Sequence, residues 1–169
     1  MLNLLTPHLF LDSVLELSPG RLRGLALDGL LLDLDCTLKD YHASECPAQV
    51  VGWVHLLRSA GVRLCLLSNG RSRRIAPIAQ GLGVPFVAKA YKPFPFRCRS
   101  ALGYLGLERG RVGLVGDQLF ADILAGRLAG LFTILVRPTS PEEPWFTRLK
   151  RPLERRLLRQ LSTPVAGPV

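Results

Sequence analysis

The sequence predicts an α/β protein, a three-layer α/β/α sandwich built on a mostly parallel, Rossmann-like sheet. Three observations point there. Short apolar runs of strand length alternate with longer stretches whose apolar residues recur at helical spacing. Gly or Pro closes or opens nearly every stretch. The apolar runs lack polar alternation, as expected for strands covered on both faces, and such strands need right-handed helical crossovers between them.

The elements follow in order. Leu30–Leu34 is an apolar run that leads into Asp33 and Asp35, and it reads as a central strand. The polar stretch from Lys39 to Glu45 reads as a loop. From Pro47 onward, Val50, Trp53, Val54 and Leu57 fall on one helical face, and Gly61 stops that helix. Val62–Leu67 is the second strand, closed by Ser68-Asn69-Gly70. Residues 71–82 read as a helix ended by Gly83, and 85–88 as a short third strand. A helix over 95–105 follows, then a fourth strand over 112–115 closed by Gly116-Asp117. A helix over 119–128 stops at Gly130, and 131–136 is the fifth strand.

The bulk composition bounds what such a chain can be. With 169 residues, 48% of them hydrophobic, it is long enough for one domain with its own core and is not a disordered chain. The expected organisation is a single domain over 1–169. Its core spans about 25–137, and 138–169 supply a loop and a basic amphipathic C-terminal helix. The four cysteines form no Cys-x-x-Cys pair, and His8, His42 and His55 do not cluster with them, which argues against zinc. Cys65 lies inside an apolar run and reads as core. No disulfide framework is evident, so a cytoplasmic compartment is the default expectation. The N-terminus lacks the pattern of a signal peptide, and no apolar run reaches membrane-spanning length.

The chemistry-bearing residues collect where the fold class expects them. Ligands of open parallel sheets bind beyond the carboxyl ends of the strands. The first strand delivers Asp33-Leu34-Asp35-Cys36-Thr37 there, and the second delivers Ser68-Asn69-Gly70. Lys92-Pro93 lies just past the third, and the fourth delivers Gly116-Asp117 with Asp122 five residues on. Singly, each is ordinary turn or cap chemistry. Jointly they put several carboxylates, one ammonium and one hydroxyl on one edge. Crowded carboxylates suit a hard divalent cation such as Mg²⁺, which also neutralises phosphate oxygens. A carboxylate can attack phosphorus, and a second can carry the proton to and from the leaving group.

This set of motifs resembles the haloacid dehalogenase (HAD) superfamily of phosphatases. Asp33-Leu34-Asp35-Cys36-Thr37 looks like its first motif, Ser68 its second, Lys92 its third, and Gly116-Asp117 to Asp122 its fourth. The stretch from Val115 to Ile123 is similar to the YqeG-like, type IIIA branch. Thr6-Pro7-His8-Leu9-Phe10 and the segment from Thr147 to Arg155 also look like that branch. The resemblance implies Asp33 as nucleophile and metal ligand. It implies Asp35 as general acid/base with its backbone carbonyl on Mg²⁺, and Asp117 as the other protein ligand. Asp122 and Thr37 would support the site, and Ser68, Asn69 and Lys92 would hold the phosphoryl group. Relatives in the branch include mitochondrial and plastid phosphatases acting on phosphatidylglycerophosphate, which makes that lipid the leading expected substrate. Cys36 departs from the branch, which usually has Asn there. Strand alternation would point its side chain away from Asp33.

No stretch is long enough for an inserted cap domain, so the site is expected to be open to a large substrate such as a lipid head group. Nucleotides, sugar phosphates or phosphoproteins are the alternative substrates. A basic RNA- or ribosome-associated scaffold is the alternative of another class, disfavoured by the intact motifs, so nucleic acid is not the expected partner. The net charge is +9, from 22 Lys and Arg against 13 Asp and Glu, and it gathers toward the C-terminus. There Leu149, Leu153, Leu157 and Leu161 form a stripe among Arg148, Lys150, Arg151, Arg155, Arg156 and Arg159. That helix can pack its stripe on the domain, make a peripheral contact with an anionic membrane surface, or do both with different faces.

Overall fold

The computed structural model describes residues 4–140. The C-terminal basic stripe therefore lies outside the described residues. Within them the chain forms β1 (Leu9–Leu11), α1 (Pro19–Gly24), β2 (Gly29–Leu32), α2 (Ala48–Ser59), β3 (Arg63–Leu67), α3 (Ser72–Leu82), β4 (Phe86–Val87), α4 (Phe96–Leu105), β5 (Val112–Gly116), α5 (Leu124–Ala129) and β6 (Phe132–Val136). All six strands pair in parallel, in the order β1-β6-β5-β2-β3-β4.

Side-chain alternation along the strands builds the two faces. Leu30 and Leu32 of β2, with Leu64 and Leu66 of β3, pack with Trp53, Val54 and Leu57 of α2 and Ile75 and Leu82 of α3. Leu31, Cys65 and Leu67 point the other way, into Cys98, Ala101 and Leu105 of α4 and Ala125 and Ala129 of α5. Cys65 is fully buried, as its apolar run predicts. The sheet is thus covered on both sides, and the three-layer architecture holds. Gly83 and Gly130 end α3 and α5 in left-handed conformation, with φ of 65° and 74°, the geometry that glycine permits without Cβ strain.

Two elements were not legible in the amino-acid pattern. β1 has three residues and pairs Leu9 with Ile134 and Leu11 with Val136, adding a sixth strand at the sheet's edge. α1 has six residues, too few for a helical period to show, and Ser18 caps it by accepting from the Arg21 N–H. The segment between them is tied to α2 where the Trp53 indole donates to the Leu17 carbonyl at 2.9 Å.

The strand order reverses between β2 and β5. Chain order runs outward from β2 through β3 and β4, then returns to β5 on β2's other side. Such a switch point leaves a crevice at the carboxyl ends of the two strands. β2 leads into Asp33 there, and β5 leads into Asp117.

Candidate active site

Asp33 is the first residue past β2, and its backbone N–H still donates to the Val115 carbonyl at 2.9 Å. This bond fixes it against β5. Asp117 follows β5 directly. Thr37 joins the two strand ends: its hydroxyl lies 3.1 Å from Asp117 Oδ1 and 3.4 Å from Asp33 Oδ2. Asp33, Asp117 and Thr37 are all buried.

Lys92 arrives from the segment after β4. Its ammonium donates to Asp33 Oδ1 at 2.5 Å, Asp122 Oδ1 at 2.6 Å and the Leu67 carbonyl at 2.9 Å. Asn69 holds this lysine by its backbone. The Asn69 side-chain oxygen accepts from the Lys92 N–H at 2.8 Å, and its amide donates to the Lys92 carbonyl at 3.3 Å. The Asn69 side chain, expected on the phosphoryl group, is thus engaged in positioning Lys92. Ser68 is buried, and its hydroxyl accepts from the Gly70 N–H at 3.2 Å.

Asp122 reaches the same point by an unusual turn. The helix expected from Leu119 begins instead as a π-type turn over Leu119–Ile123, in which the Ile123 N–H reaches the Gln118 carbonyl five residues back. Such wide turns are often found at functional sites. This one directs the Asp122 carboxylate inward, where Lys92 and the Gln118 N–H bind it. Gly116 makes the approach possible, because a Cβ there would sit 2.2 Å from Asp122 Cγ.

Asp33, Asp117 and Asp122 bring carboxylate oxygens within 4.8 Å of one another, all three buried. One ammonium lies among them. Burial pushes the Asp33 carboxyl up to about 7; Lys92 opposes the shift and Asp122 adds to it. For Lys92, burial works against the charge, but Asp122 and Asp33 outweigh it and hold the ammonium above its ordinary range. Desolvation thus decides the direction at Asp33, and the attraction of two carboxylates decides it at Lys92. An all-oxygen donor set with excess negative charge fits a hard divalent cation. The residues that would hold one are Asp33, Asp117 and Asp122. Asp122 was expected only to support the site, and the structure brings its carboxylate fully into the cluster.

Asp35 stands apart. Its carboxylate is held by Arg74 through two bonds of 2.7 and 2.9 Å and by Lys39 at 2.9 Å. Arg74 also donates to the Tyr41 carbonyl at 2.7 Å and lies 5.1 Å from the Tyr41 ring centroid. Lys39 is fully buried, although its place in a polar stretch suggests a solvated loop residue. Neither Lys39 nor Arg74 was singled out from the sequence. Lys39 sits four residues after Asp35, a spacing that hints at a pair. Nothing in Arg71-Ser72-Arg73-Arg74 distinguishes Arg74.

Cys36 is buried at φ 61°, a left-handed conformation. Strand alternation does not reach it, because β2 ends at Leu32. A tight turn governs it instead: the Cys36 N–H donates to the Lys39 carbonyl at 2.7 Å, and the Cys36 carbonyl accepts from the Thr139 N–H at 2.9 Å. Asn adopts this conformation more readily than Cys.

Among the described residues no inserted domain stands over this edge, and the loop between Lys39 and α2 is short. An open α/β sheet with an acidic crevice at its switch point and a lysine bound into it is suited to holding a phosphoryl group beside a divalent cation. Known proteins agree. Residues 90–147 match the family model described as HAD-hydrolase-like. The chain is 30% identical over 155 residues, 92% of its length and 90% of the relative's, to the protein named "Probable phosphatase YqeG" of Bacillus subtilis (strain 168). Its fold is similar to the cobalt-bound deoxy-D-mannose-octulosonate 8-phosphate phosphatase YrbI of Haemophilus influenzae, with a TM-score of 0.56 at 14% identity, covering 81% of this chain and 90% of that one. It is also similar to the 3-deoxy-D-manno-octulosonate 8-phosphate phosphatase of Moraxella catarrhalis, solved in complex with a magnesium ion, a phosphate ion and a KDO molecule, with a TM-score of 0.52 at 14% identity over 83% and 91% of the two chains. The chain belongs to the HAD superfamily of phosphatases, in its YqeG-like branch. It is a HAD-type phosphatase, a hydrolase of phosphoric monoesters.

Proposed function

We propose that the protein hydrolyses a phosphomonoester through an aspartyl-phosphate on Asp33, with Mg²⁺, and that its substrate is phosphatidylglycerophosphate. The observation that carries the chemistry is the buried contact of Lys92 with Asp33 and Asp122 beside Asp117. A bound Mg²⁺ would neutralise carboxylate and phosphoryl oxygens. Lys92 sits where a phosphoryl oxygen would replace one of the three acceptors its ammonium now holds, Asp33, Asp122 and the Leu67 carbonyl. An Asp33 oxygen attacks phosphorus, and the ester P–O bond breaks. The leaving oxygen takes its proton from Asp35. Asp35 then removes a proton from water, the resulting hydroxide attacks phosphorus, and the bond to Asp33 breaks to release phosphate. For both proton transfers the Asp35 side chain must turn from Arg74 and Lys39 toward the leaving oxygen. Asn69 serves by fixing Lys92, and Ser68 is the hydroxyl donor of the phosphate pocket.

The open edge supports a substrate whose phosphate is carried on something large. Phosphatidylglycerophosphate meets that condition, and the resemblance to the YqeG-like branch favours it. The C-terminal basic stripe would add a peripheral contact with an anionic membrane. Purified protein and Asp33→Asn should be incubated with Mg²⁺ and phosphatidylglycerophosphate in detergent, nucleotides, sugar phosphates and an aryl phosphate. Release of phosphate from the lipid, absent in the variant, is the expected result. Release from soluble esters alone refutes the lipid substrate, and equal release by the variant refutes the role of Asp33.

A further inference from the structure

The turn that delivers Lys92 to the buried cluster also presents three aromatic side chains to solvent. The Phe94 N–H donates to the Tyr91 carbonyl at 3.0 Å, closing a turn with Lys92 on its inner side. Lys92 is 8% exposed, whereas Tyr91, Phe94 and Phe96 around it are 61%, 60% and 67% exposed. The Phe94 and Phe96 rings stack 6.5 Å apart, making one patch. Tyr91 and Lys89 hold left-handed conformations, with φ of 52° and 48°, which β-carbon-bearing residues adopt at a cost tolerated mainly at functional sites. Large apolar side chains gathered on a surface mark a place where something docks.

The charge around the patch says what that is. Lys89, Arg97 and Arg99 flank the aromatics, and all three are exposed. Between Glu45 and Glu108 the chain contains no Asp or Glu but nine Lys and Arg. Arg71 and Arg73, also exposed, open α3 on the same sheet edge. Phe carries no polar group to be satisfied on burial. Exposed Phe and Tyr with exposed Arg and Lys beside them in the chain match the boundary between anionic headgroups and acyl chains. We propose that Tyr91, Phe94 and Phe96, flanked by Lys89, Arg97 and Arg99, form a docking surface for an anionic lipid bilayer, holding the phosphoryl site at headgroup level. The proposal rests on the lipid-substrate reading and gives it a physical route, because the patch and Lys92 share one turn. A monoester in the headgroup plane meets the site without leaving the membrane.

The test separates docking from hydrolysis. Full-length protein and a Phe94→Ser/Phe96→Ser variant are floated with phosphatidylcholine vesicles containing about 30% phosphatidylglycerol, and with phosphatidylcholine alone. These vesicles hold no monoester, so binding is read without turnover. Wild type should float with the anionic vesicles only, and the bound fraction of the variant should fall about tenfold. Turnover of a soluble aryl phosphate should stay within about twofold of wild type, since neither Phe touches the carboxylate cluster. A Phe96→Trp variant should show a blue-shifted emission increment on vesicle addition that wild type lacks. Equal flotation of both proteins, or none by wild type, overturns the proposal. So does collapse of aryl phosphate turnover in the variant. Aromatic-dependent retention of single-stranded RNA without vesicle binding overturns it in favour of nucleic acid. Flotation that depends on the aromatics, beside no hydrolysis of the lipid in detergent, upholds the docking surface and removes only the substrate reading.

Discussion

The two carboxylates of the first motif live in opposite surroundings. Asp33 is buried with Asp117, Asp122 and Lys92. Asp35, two residues on, keeps 19% of its side chain exposed, and its partner Arg74 keeps 39%. The inner cluster has one ammonium for three carboxylates, while the outer has two cations on one carboxylate. Removing a charge from the inner cluster leaves others buried and unpaired, so it is felt in stability. The outer pair with Arg74 is partly solvated, so its loss is felt little in stability. The inner cluster is therefore built to stay fixed, while in the outer one the contact with Arg74 is cheap to break and the contact with the fully buried Lys39 is not.

The sharpest way to break this contrast is Lys92→Met. Without divalent cation, its unfolding free energy should fall by about 3–5 kcal/mol, and turnover should fall a hundredfold or more, roughly the loss of one fixed charge at a phosphoryl site. Urea unfolding of a variant as stable as wild type would show that Lys92 is not what holds the carboxylates together. Next in size is Gly116→Ala. The added methyl must displace the buried Asp122 carboxylate, and a loss of about 3 kcal/mol or more is expected. Gly52→Ala is its control: the helix offers open space there, and a gain of about 0.5–1 kcal/mol should appear.

Metal and pH probe the same cluster. The folded-state value of Asp33, about 7, lies above its unfolded value near 3.9. Its contribution to stability is therefore full below about pH 4 and lost as the pH rises through about 7. A divalent cation needs the ionised carboxylate, so the Mg²⁺-induced rise in Tm should be larger at about pH 8 than at about pH 6. A rise independent of pH would separate the metal from Asp33. The smallest stability effect is expected at the outer pair. Arg74→Met should shift unfolding by less than about 1 kcal/mol but lower kcat on a soluble aryl phosphate about tenfold or more with KM nearly unchanged, since it would disturb Asp35, the proposed proton carrier. Calorimetry beside steady-state kinetics reads both, and a large stability loss with intact kcat would place Asp35 and Arg74 in the scaffold.

The same division marks what was legible beforehand. The strands and helices between Leu30 and Val136 showed through because each is long or apolar enough to carry a period, with Gly or Pro at its limits. β1 and α1 are too short for that. The helix expected from Leu119 hid a π-type turn, because the pull of Lys92 on Asp122 is not written in the spacing of apolar residues. Strand alternation says nothing of Cys36, because β2 ends at Leu32 and a turn sets its conformation.

The sequence by itself determined which groups reach the sheet edge. Side-chain period and turn residues act locally, so the positions of Asp33, Ser68, Lys92 and Asp117 at their strand ends could be read along the chain. Only the tertiary structure decided who meets whom there. Strand order sets β5 beside β2, the π-type turn and the missing Cβ of Gly116 swing Asp122 inward, and Asn69 holds Lys92 between two carboxylates. Most of these contacts join residues tens of positions apart, and the turn that swings Asp122 follows no apolar period. They are fixed by packing and charge in three dimensions, which no local pattern records.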